Sequence, residues 1–374
     1  MAPSRYGFQA QVSRISLSNA AEHDLCSVWY SDSSVSRSNI PAVDKSTLSK
    51  SRFILVGHGL TYLIKVSKTR ADPIFLSYED AINLIGEDSM HSLISSFHLS
   101  DDEKISESLL AWICRQNEVN YWCLYLPLEP VSTMQSIQQN DPEVVIMPLR
   151  EFGDLLENSA DSAIYGTVNA ITEFHRTHVF CSLCGSATTI RNAGTSRICS
   201  NHKSKGGNCK SSSIYPRIDV ASIMLITSPC DQYALLGRKK SWPEGRYSTL
   251  AGFLEVGETM EECCIRETYE ESGVHVDPSS IRFVKSQPWP FPRSLMVGFR
   301  AKAAKDSAME VPRINFDENE MEHVAWFHKQ YVASRLSGGS TALTYNPSEE
   351  EKKFHIPGKA SLARVLITEW ALEE

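Results

Sequence analysis

The segment from Gly252 to Val274 constrains the fold and the chemistry of this chain more than any other. It reads Gly252-Phe-Leu-Glu-Val-Gly257-Glu258, then seven residues, then Arg266-Glu267-Thr268-Tyr269-Glu270-Glu271-Ser272-Gly273-Val274. On a helix, Glu267, Glu270 and Glu271 stand at i, i+3 and i+4, which predicts three carboxylates on one face. Like charges so placed repel, and a bound divalent cation removes that cost. Clustered carboxylate oxygens suit Mg²⁺ or Mn²⁺, which keep several waters and bridge to substrate phosphates. Arg266, four residues from both Glu262 and Glu270, is placed to pin the face through i,i+4 pairs. Gly252 and Gly257 free the backbone of the entering loop, and Gly273 sits where a left-handed C-terminal cap is expected. Three glutamates alone would equally describe a solvated acidic helix. The full spacing is what argues against that.

The 374 residues leave room for two or three domains, and a hydrophobic share of 42% includes no run long enough to span a bilayer. A net charge of -8 argues against a general nucleic-acid binder, although local basic patches stay compatible with it. Ten cysteines are too few and too unevenly spaced for a secreted disulfide scaffold. Arg5, Arg14 and several serines precede the first acidic residue, Glu22. That leaves an organellar presequence as the minor alternative to an ordinary terminus. The last residues do not form a Ser-Lys-Leu-type tail.

Patterning divides the chain. A Ser-rich stretch, Ser31 to Ser51, reads as a long loop or an ordered surface excursion. Strands are predicted at Phe53–Val56, Leu60–Val66, Tyr121–Leu126 and Glu143–Met147, and a helix at Ser106–Arg115 from the spacing of Leu109, Leu110 and Ile113. Ala160–His175 aligns Ile164, Val168, Ile171 and Phe174 on one helical face. Further on, strands are predicted at Val220–Thr227, Tyr233–Gly237, Ser294–Ala301 and Val324–Phe327. Helices are predicted at Glu258–Ser272 and Ala360–Leu372, with Ser337–Thr341 as a loop. A mixed sheet flanked by helices is the economical arrangement.

Four cysteines lie within 30 residues. Cys181-Ser-Leu-Cys184, then Cys199 and Cys209, read as a four-thiolate zinc ribbon, with His202 as an alternative fourth ligand. A closed four-ligand site leaves no place for a catalytic water, so the zinc is structural. Near the acidic helix stands Ser286-Gln287-Pro288-Trp289-Pro290-Phe291-Pro292-Arg293-Ser294. Its alternating prolines fix an extended backbone and exclude a central strand. Trp289 and Phe291 are then held for stacking on a nucleobase or nicotinamide ring, beside Arg293 as a phosphate-directed charge. Aromatic–proline packing within the loop is the alternative.

Together these segments resemble the NADH pyrophosphatase branch of the Nudix hydrolase family. Every fixed residue of the Nudix box, Gly-x5-Glu-x7-Arg-Glu-U-x-Glu-Glu-x-Gly-U, is present, with Thr268 at the first aliphatic position. The Ser-Gln-Pro-Trp-Pro-Phe-Pro-x-Ser signature is complete. The likeness extends to Tyr215-Pro216-Arg217, Leu250-Ala251-Gly252-Phe253, Ile356-Pro357 and Ala363. Val256 replaces the usual proline, and Arg364 stands where eukaryotic members often have histidine.

The resemblance implies an α+β chain: an N-terminal α+β domain over residues 1–178, a zinc ribbon over 179–213, and a Nudix mixed-sheet α/β/α sandwich over 214–374. It implies Mg²⁺- or Mn²⁺-dependent cleavage of the diphosphate of NADH, and of NAD⁺, to reduced nicotinamide mononucleotide (or its oxidised form) and AMP. Removal of NAD caps from RNA 5′ ends is a second reading, and a non-catalytic nucleotide sensor or zinc-ribbon interaction module a third. Glu267, Glu270, Glu271 and Glu320, with Arg266, carry catalysis in this picture, and the backbone of Ala251 joins the four glutamates as a metal ligand. Gln287 to Ser294, with Tyr215 and Ala363, line the dinucleotide site. The resemblance also implies a homodimer in the cytoplasm or the peroxisome.

Overall fold

A computed structural model describes residues 35–37, 39–95, 108–127, 134–135, 137–139, 141–305, 311–336, 354–358 and 361–373. The loop expected at Ser337–Thr341 and residues 1–34 lie outside them. Among the described residues the N-terminal half builds a sheet from β1 (Val35–Ser36), β2 (Arg52–Gly57), β3 (Thr61–Val66), β4 (Ala71–Pro73), β5 (Leu109–Gln116), β6 (Val119–Tyr125) and β7 (Val144–Pro148). Their order is β1-β5-β6-β2-β3-β4, with β7 paired to β3. Only β2 and β6 run parallel. The Ser-rich stretch contributes β1 and a short capped helix, α1 (Lys45–Leu48), rather than a continuous loop.

The helix expected over Ser106–Arg115 is instead strand β5 from Leu109. Leu109, Ala111 and Ile113 pack into one apolar cluster, whereas Leu110 and Trp112 pack into the cluster on the opposite face. With both faces buried, a strand loses its polar alternation, and a short apolar run then mimics helical spacing. Helices α2 (Tyr78–Ile85), α3 (Glu87–Ser95) and α4 (Leu149–Phe152) flank this sheet. Long helix α5 (Ser159–Thr177) is capped by Asn158, whose side chain accepts from the Ala160 amide at 2.9 Å. Ile164 and Val168 bury its apolar face against the sheet, as their spacing predicts.

The end of α5 locks onto the β8 (Thr188–Arg191) and β9 (Ser196–Cys199) hairpin. Arg197 Nη1 donates to His175 Nδ1 at 2.9 Å, so the imidazole proton sits on Nε2 and is given to the Gly194 carbonyl at 2.6 Å. Burial, with Arg197 adjacent, pushes the His175 pKa down to about 3 and keeps the ring neutral. Gly194 lies so near β5 that a Cβ there would stand 2.4 Å from Ala111 Cβ.

The second sheet runs β13-β14-β10-β11-β15, with β12 paired to β10. Its strands are β10 (Asp219–Thr227), β11 (Tyr233–Arg238), β12 (Leu250–Phe253), β13 (Arg282–Trp289), β14 (Ser294–Lys302) and β15 (His323–His328). β10 and β14 are parallel and the other pairings antiparallel, so the sheet is mixed. Ile223, Leu225, Ala234 and Leu236 face α7 (Lys329–Leu336) and α8 (Leu362–Leu372), where Trp370 is fully buried. Met224, Ile226 and Leu235 face α6 (Met260–Ser272) through Cys264. This is an α/β/α sandwich beside a ribbon and an α+β unit. Pro288 falls within β13, and β13 is an edge strand, where a missing amide costs the ladder least.

Candidate active site and metal centre

The acidic helix starts at a capping box. Thr259 accepts from the Glu262 amide at 3.2 Å, and Glu262 accepts from the Thr259 amide at 2.8 Å. Glu262 is therefore committed to the cap, so of the two expected i,i+4 pairs of Arg266 only the one with Glu270 forms. Arg266 instead gathers Glu258 at 2.6 Å, Glu267 at 2.9 Å, Glu270 at 2.8 Å and the Phe253 carbonyl at 2.9 Å. Hydrogen bonds from Arg266 hold Glu258 well down, to about 2. One guanidinium thus ties the loop Phe253–Glu258 to the helix. Gly257 has φ +92 and Gly273 φ +70, both in the left-handed region. Gly273 closes the helix as expected.

The three carboxylates do not share one environment. The Glu270 side chain is 51% exposed, whereas Glu267 is 12% and Glu271 1% exposed. Gly252 is what admits Glu267, since a Cβ on it would lie 1.8 Å from Glu267 Cδ. Glu271 accepts from the Ala251 amide at 3.1 Å. Burial raises the Glu267 pKa, and raises that of Glu271 to about 7 despite nearby Lys239. Lys239 Nζ stands 3.3 Å from Glu271 and 3.6 Å from Glu320, which brings Glu320 to the cluster from outside the helix. Lys239 escaped the sequence reading. Its only signal is the basic run Arg238-Lys239-Lys240 just after β11, which also describes a solvated strand end. Carboxylate oxygens are the donors a hard divalent cation takes, although among the described residues only the four cysteines already stand as a close ligand cluster.

The cysteine expectation is met geometrically. All four sulfurs of Cys181, Cys184, Cys199 and Cys209 lie within 4.8 Å of one another. Tetrahedral zinc with Zn–S of about 2.3 Å requires sulfurs roughly 3.8 Å apart, and Cys184–Cys199 is 3.5 Å and Cys181–Cys209 is 4.0 Å. Gly185, with φ +73, turns the first knuckle so that its amide donates to the Cys181 carbonyl at 2.9 Å. Hydrogen bonds from Ser186 lower the Cys184 thiol to about 6, which favours the thiolate a metal needs. His202 is occupied instead in capping a short turn, with Nδ1 accepting from the Ser204 amide at 3.0 Å.

The proline-rich segment is split between strand and loop. Gln287, 1% exposed, accepts from the Leu362 amide at 2.8 Å and so caps α8 next to buried Ala363. Pro288 and Trp289 are half-buried, Pro290 and Ser294 buried, and Pro292 exposed. Trp289 and Phe291 meet edge to face with centroids 5.4 Å apart. Phe291 packs against the N-terminal core. Arg293 Nε donates to the Arg217 carbonyl at 3.4 Å. Tyr215 is exposed, at the junction of ribbon and β10. Nearby, an open cavity of about 530 Å³ is lined by Ile218, Val220, Phe253, Val256 and Glu258. Phe253 is 57% exposed there, an aromatic the sequence reading passed over.

The molecule thus joins a loop-and-helix unit that buries two carboxylates beside an open cavity to a four-cysteine ribbon. The description "NUDIX domain" matches residues 216–340, and "NADH pyrophosphatase zinc ribbon domain" matches residues 176–204. The NAD-capped RNA hydrolase NudC of Mycobacterium bovis is 34% identical over 254 residues, covering 67% of this chain and 71% of that protein. The human NAD-capped RNA hydrolase NUDT12 is 34% identical over 210 residues, covering 56% of this chain and 42% of that protein. A NUDIX hydrolase structure from Nitrosomonas europaea aligns at 25% identity and a TM-score of 0.30, over 40% of this chain and 78% of that one. The chain belongs to the Nudix hydrolase family, in its NADH pyrophosphatase branch. No helix among the described residues is long and apolar enough to cross a membrane.

Proposed function

We propose that this protein is an Mg²⁺- or Mn²⁺-dependent pyrophosphohydrolase that cleaves NADH, and NAD⁺, between its two phosphates to the nicotinamide mononucleotide and AMP. The observation that carries this reading is the carboxylate cluster. Glu267 and Glu271 are buried beneath Gly252 and Ala251, Arg266 braces Glu267, Lys239 faces Glu271, and the loop above walls an open cavity. Glu267, Glu270, Glu271, Glu320 and the Ala251 carbonyl are the proposed holders of the cation. The bound metal neutralises the diphosphate and lowers the pKa of the attacking water. One of the glutamates accepts that water's proton. Arg266 fixes the loop and the helix relative to each other, which matters because phosphoryl chemistry is mostly positioning and charge stabilisation. Trp289, with the rest of the Gln287–Ser294 segment, Tyr215 and Ala363, orients the rings, and the four-cysteine zinc supports the fold.

Removal of NAD caps from RNA is the second reading, favoured by the names of the mycobacterial and human relatives. The same site would serve it. A non-catalytic sensor has no use for buried, clustered carboxylates whose charge must be compensated. The test is a panel of NADH, NAD⁺ and NAD-capped RNA assayed with Mg²⁺ and with Mn²⁺. Metal-dependent release of AMP from NADH supports the first reading. Turnover of capped RNA alone moves the function to the second, and no turnover of any of them sinks both.

A further inference from the structure

We propose that Asn169 and Arg150, both in the N-terminal half, are positioning residues that hold the Trp289–Pro292 segment in its ring-recognising shape. The inference rests on the substrate reading above and adds to it that dinucleotide selectivity depends on the N-terminal half of the chain. Prolines at 288, 290 and 292 have no amide hydrogen, so the segment has little with which to tie itself down. What it can offer is carbonyl groups, and these need donors from elsewhere.

Asn169 supplies one. It lies on α5, 5% exposed, and its Nδ2 donates to the Pro290 carbonyl at 2.7 Å. Its Oδ1 accepts from the Tyr62 hydroxyl of β3 at 2.9 Å, which fixes the amide orientation, since a flip would set acceptor against acceptor at Pro290. Arg150, exposed at the start of α4, places its guanidinium carbon 5.5 Å from the Trp289 ring centroid and 5.1 Å from that of Phe291. One cation thus covers an edge-to-face pair. Phe291 is anchored on the N-terminal core, so Trp289 is the ring of the pair left for a ligand. Asn169 bonds Tyr62 and Pro290, and Arg150 faces Trp289 and Phe291, so both act on the proline-rich segment rather than on the acidic helix. Their loss should misplace rings and leave the diphosphate site as it was.

The experiment compares the full chain with Asn169→Asp, Arg150→Met and Arg150→Lys, using NADH and ADP-ribose, a diphosphate without nicotinamide. The readout is the ratio of kcat/KM for NADH to that for ADP-ribose. This ratio is expected to fall about tenfold in Asn169→Asp and Arg150→Met, chiefly through KM for NADH, and to recover largely in Arg150→Lys. On a Trp289→Ala background, Arg150→Met should change the ratio little further, because both act through one ring. Equal losses on both substrates, or an unchanged ratio in Arg150→Met, overturn the proposal. Arg150 is exposed, so its variants decide the matter even if Asn169→Asp does not fold. Failure of the substrate reading shows separately, as a wild-type enzyme inactive on NADH. The ratio is then taken with whichever dinucleotide that enzyme cleaves.

Discussion

The Glu271 side chain is 1% exposed, and as a proposed cation ligand it would have to be charged beside Lys239 Nζ at 3.3 Å and the Ala251 amide at 3.1 Å. Glu271→Gln keeps the size and removes the charge. Hydrolysis should fall roughly 100-fold or more, while the melting temperature stays level or rises because an ionised carboxylate no longer has to be buried. Near wild-type turnover at saturating Mg²⁺ would exclude Glu271 as a ligand. Gly252 tests the same cluster from the opposite side. A methyl group there would overlap Glu267, with Cβ 1.8 Å from Cδ, so Gly252→Ala must displace that carboxylate. A metal titration of activity should show a requirement shifted to higher Mg²⁺, and an unchanged titration would mean that Glu267 is no ligand.

Among the elements, the ribbon and the edge strand depend on different physics. The ribbon has few apolar residues of its own, and three of its cysteines, Cys181, Cys199 and Cys209, form a small separate buried cluster. A bound zinc would therefore contribute folding free energy directly. Cys181→Ser is expected to lower zinc content and melting temperature together, measured by metal analysis and thermal unfolding, while folded material keeps its chemistry. Full stability with lost activity would instead indicate a catalytic zinc. In β13 and the loop after it, Trp289→Ala removes a stacking ring without touching the carboxylates. The loss on NADH should be about 1–3 kcal/mol, roughly tenfold or more in kcat/KM, and much smaller on a diphosphate without nicotinamide. Equal losses on both would assign Trp289 to packing.

For the molecule as a whole, the buried glutamate couples stability to pH and metal. The folded-state pKa of Glu271 is raised by burial from 4.5 to about 7. Folding thus favours its protonated form: the contribution is fully present below the unfolded pKa and is lost as pH rises through about 7. That difference corresponds to a cost on the order of 3 kcal/mol in metal-free protein above neutrality. A cation that binds the ionised cluster offsets it. The gain in melting temperature on adding Mg²⁺ should therefore be larger at pH 8 than at pH 5. A gain independent of pH would mean that the cation binds elsewhere.

Much of the site was legible in the linear order because its parts are local. Arg266, Glu267, Glu270 and Glu271 share one helix, its Gly273 stop is a backbone requirement, and the first cysteine pair forms one knuckle. Strands β10, β11, β14 and β15 and helix α5 also follow from their apolar patterning, whereas β12 and β13 were not read as strands. What the sequence by itself determined ends where contacts become long-range. It could not separate exposed Glu270 from buried Glu271, bring Lys239 to the cluster, or seat Asn169 and Arg150 on the proline-rich loop, and it reached Glu320 only through the family resemblance. It misread β5 because a strand covered on both faces shows no alternation. Those choices belong to the tertiary structure, where burial sets which carboxylate is desolvated and which distant side chain must answer it.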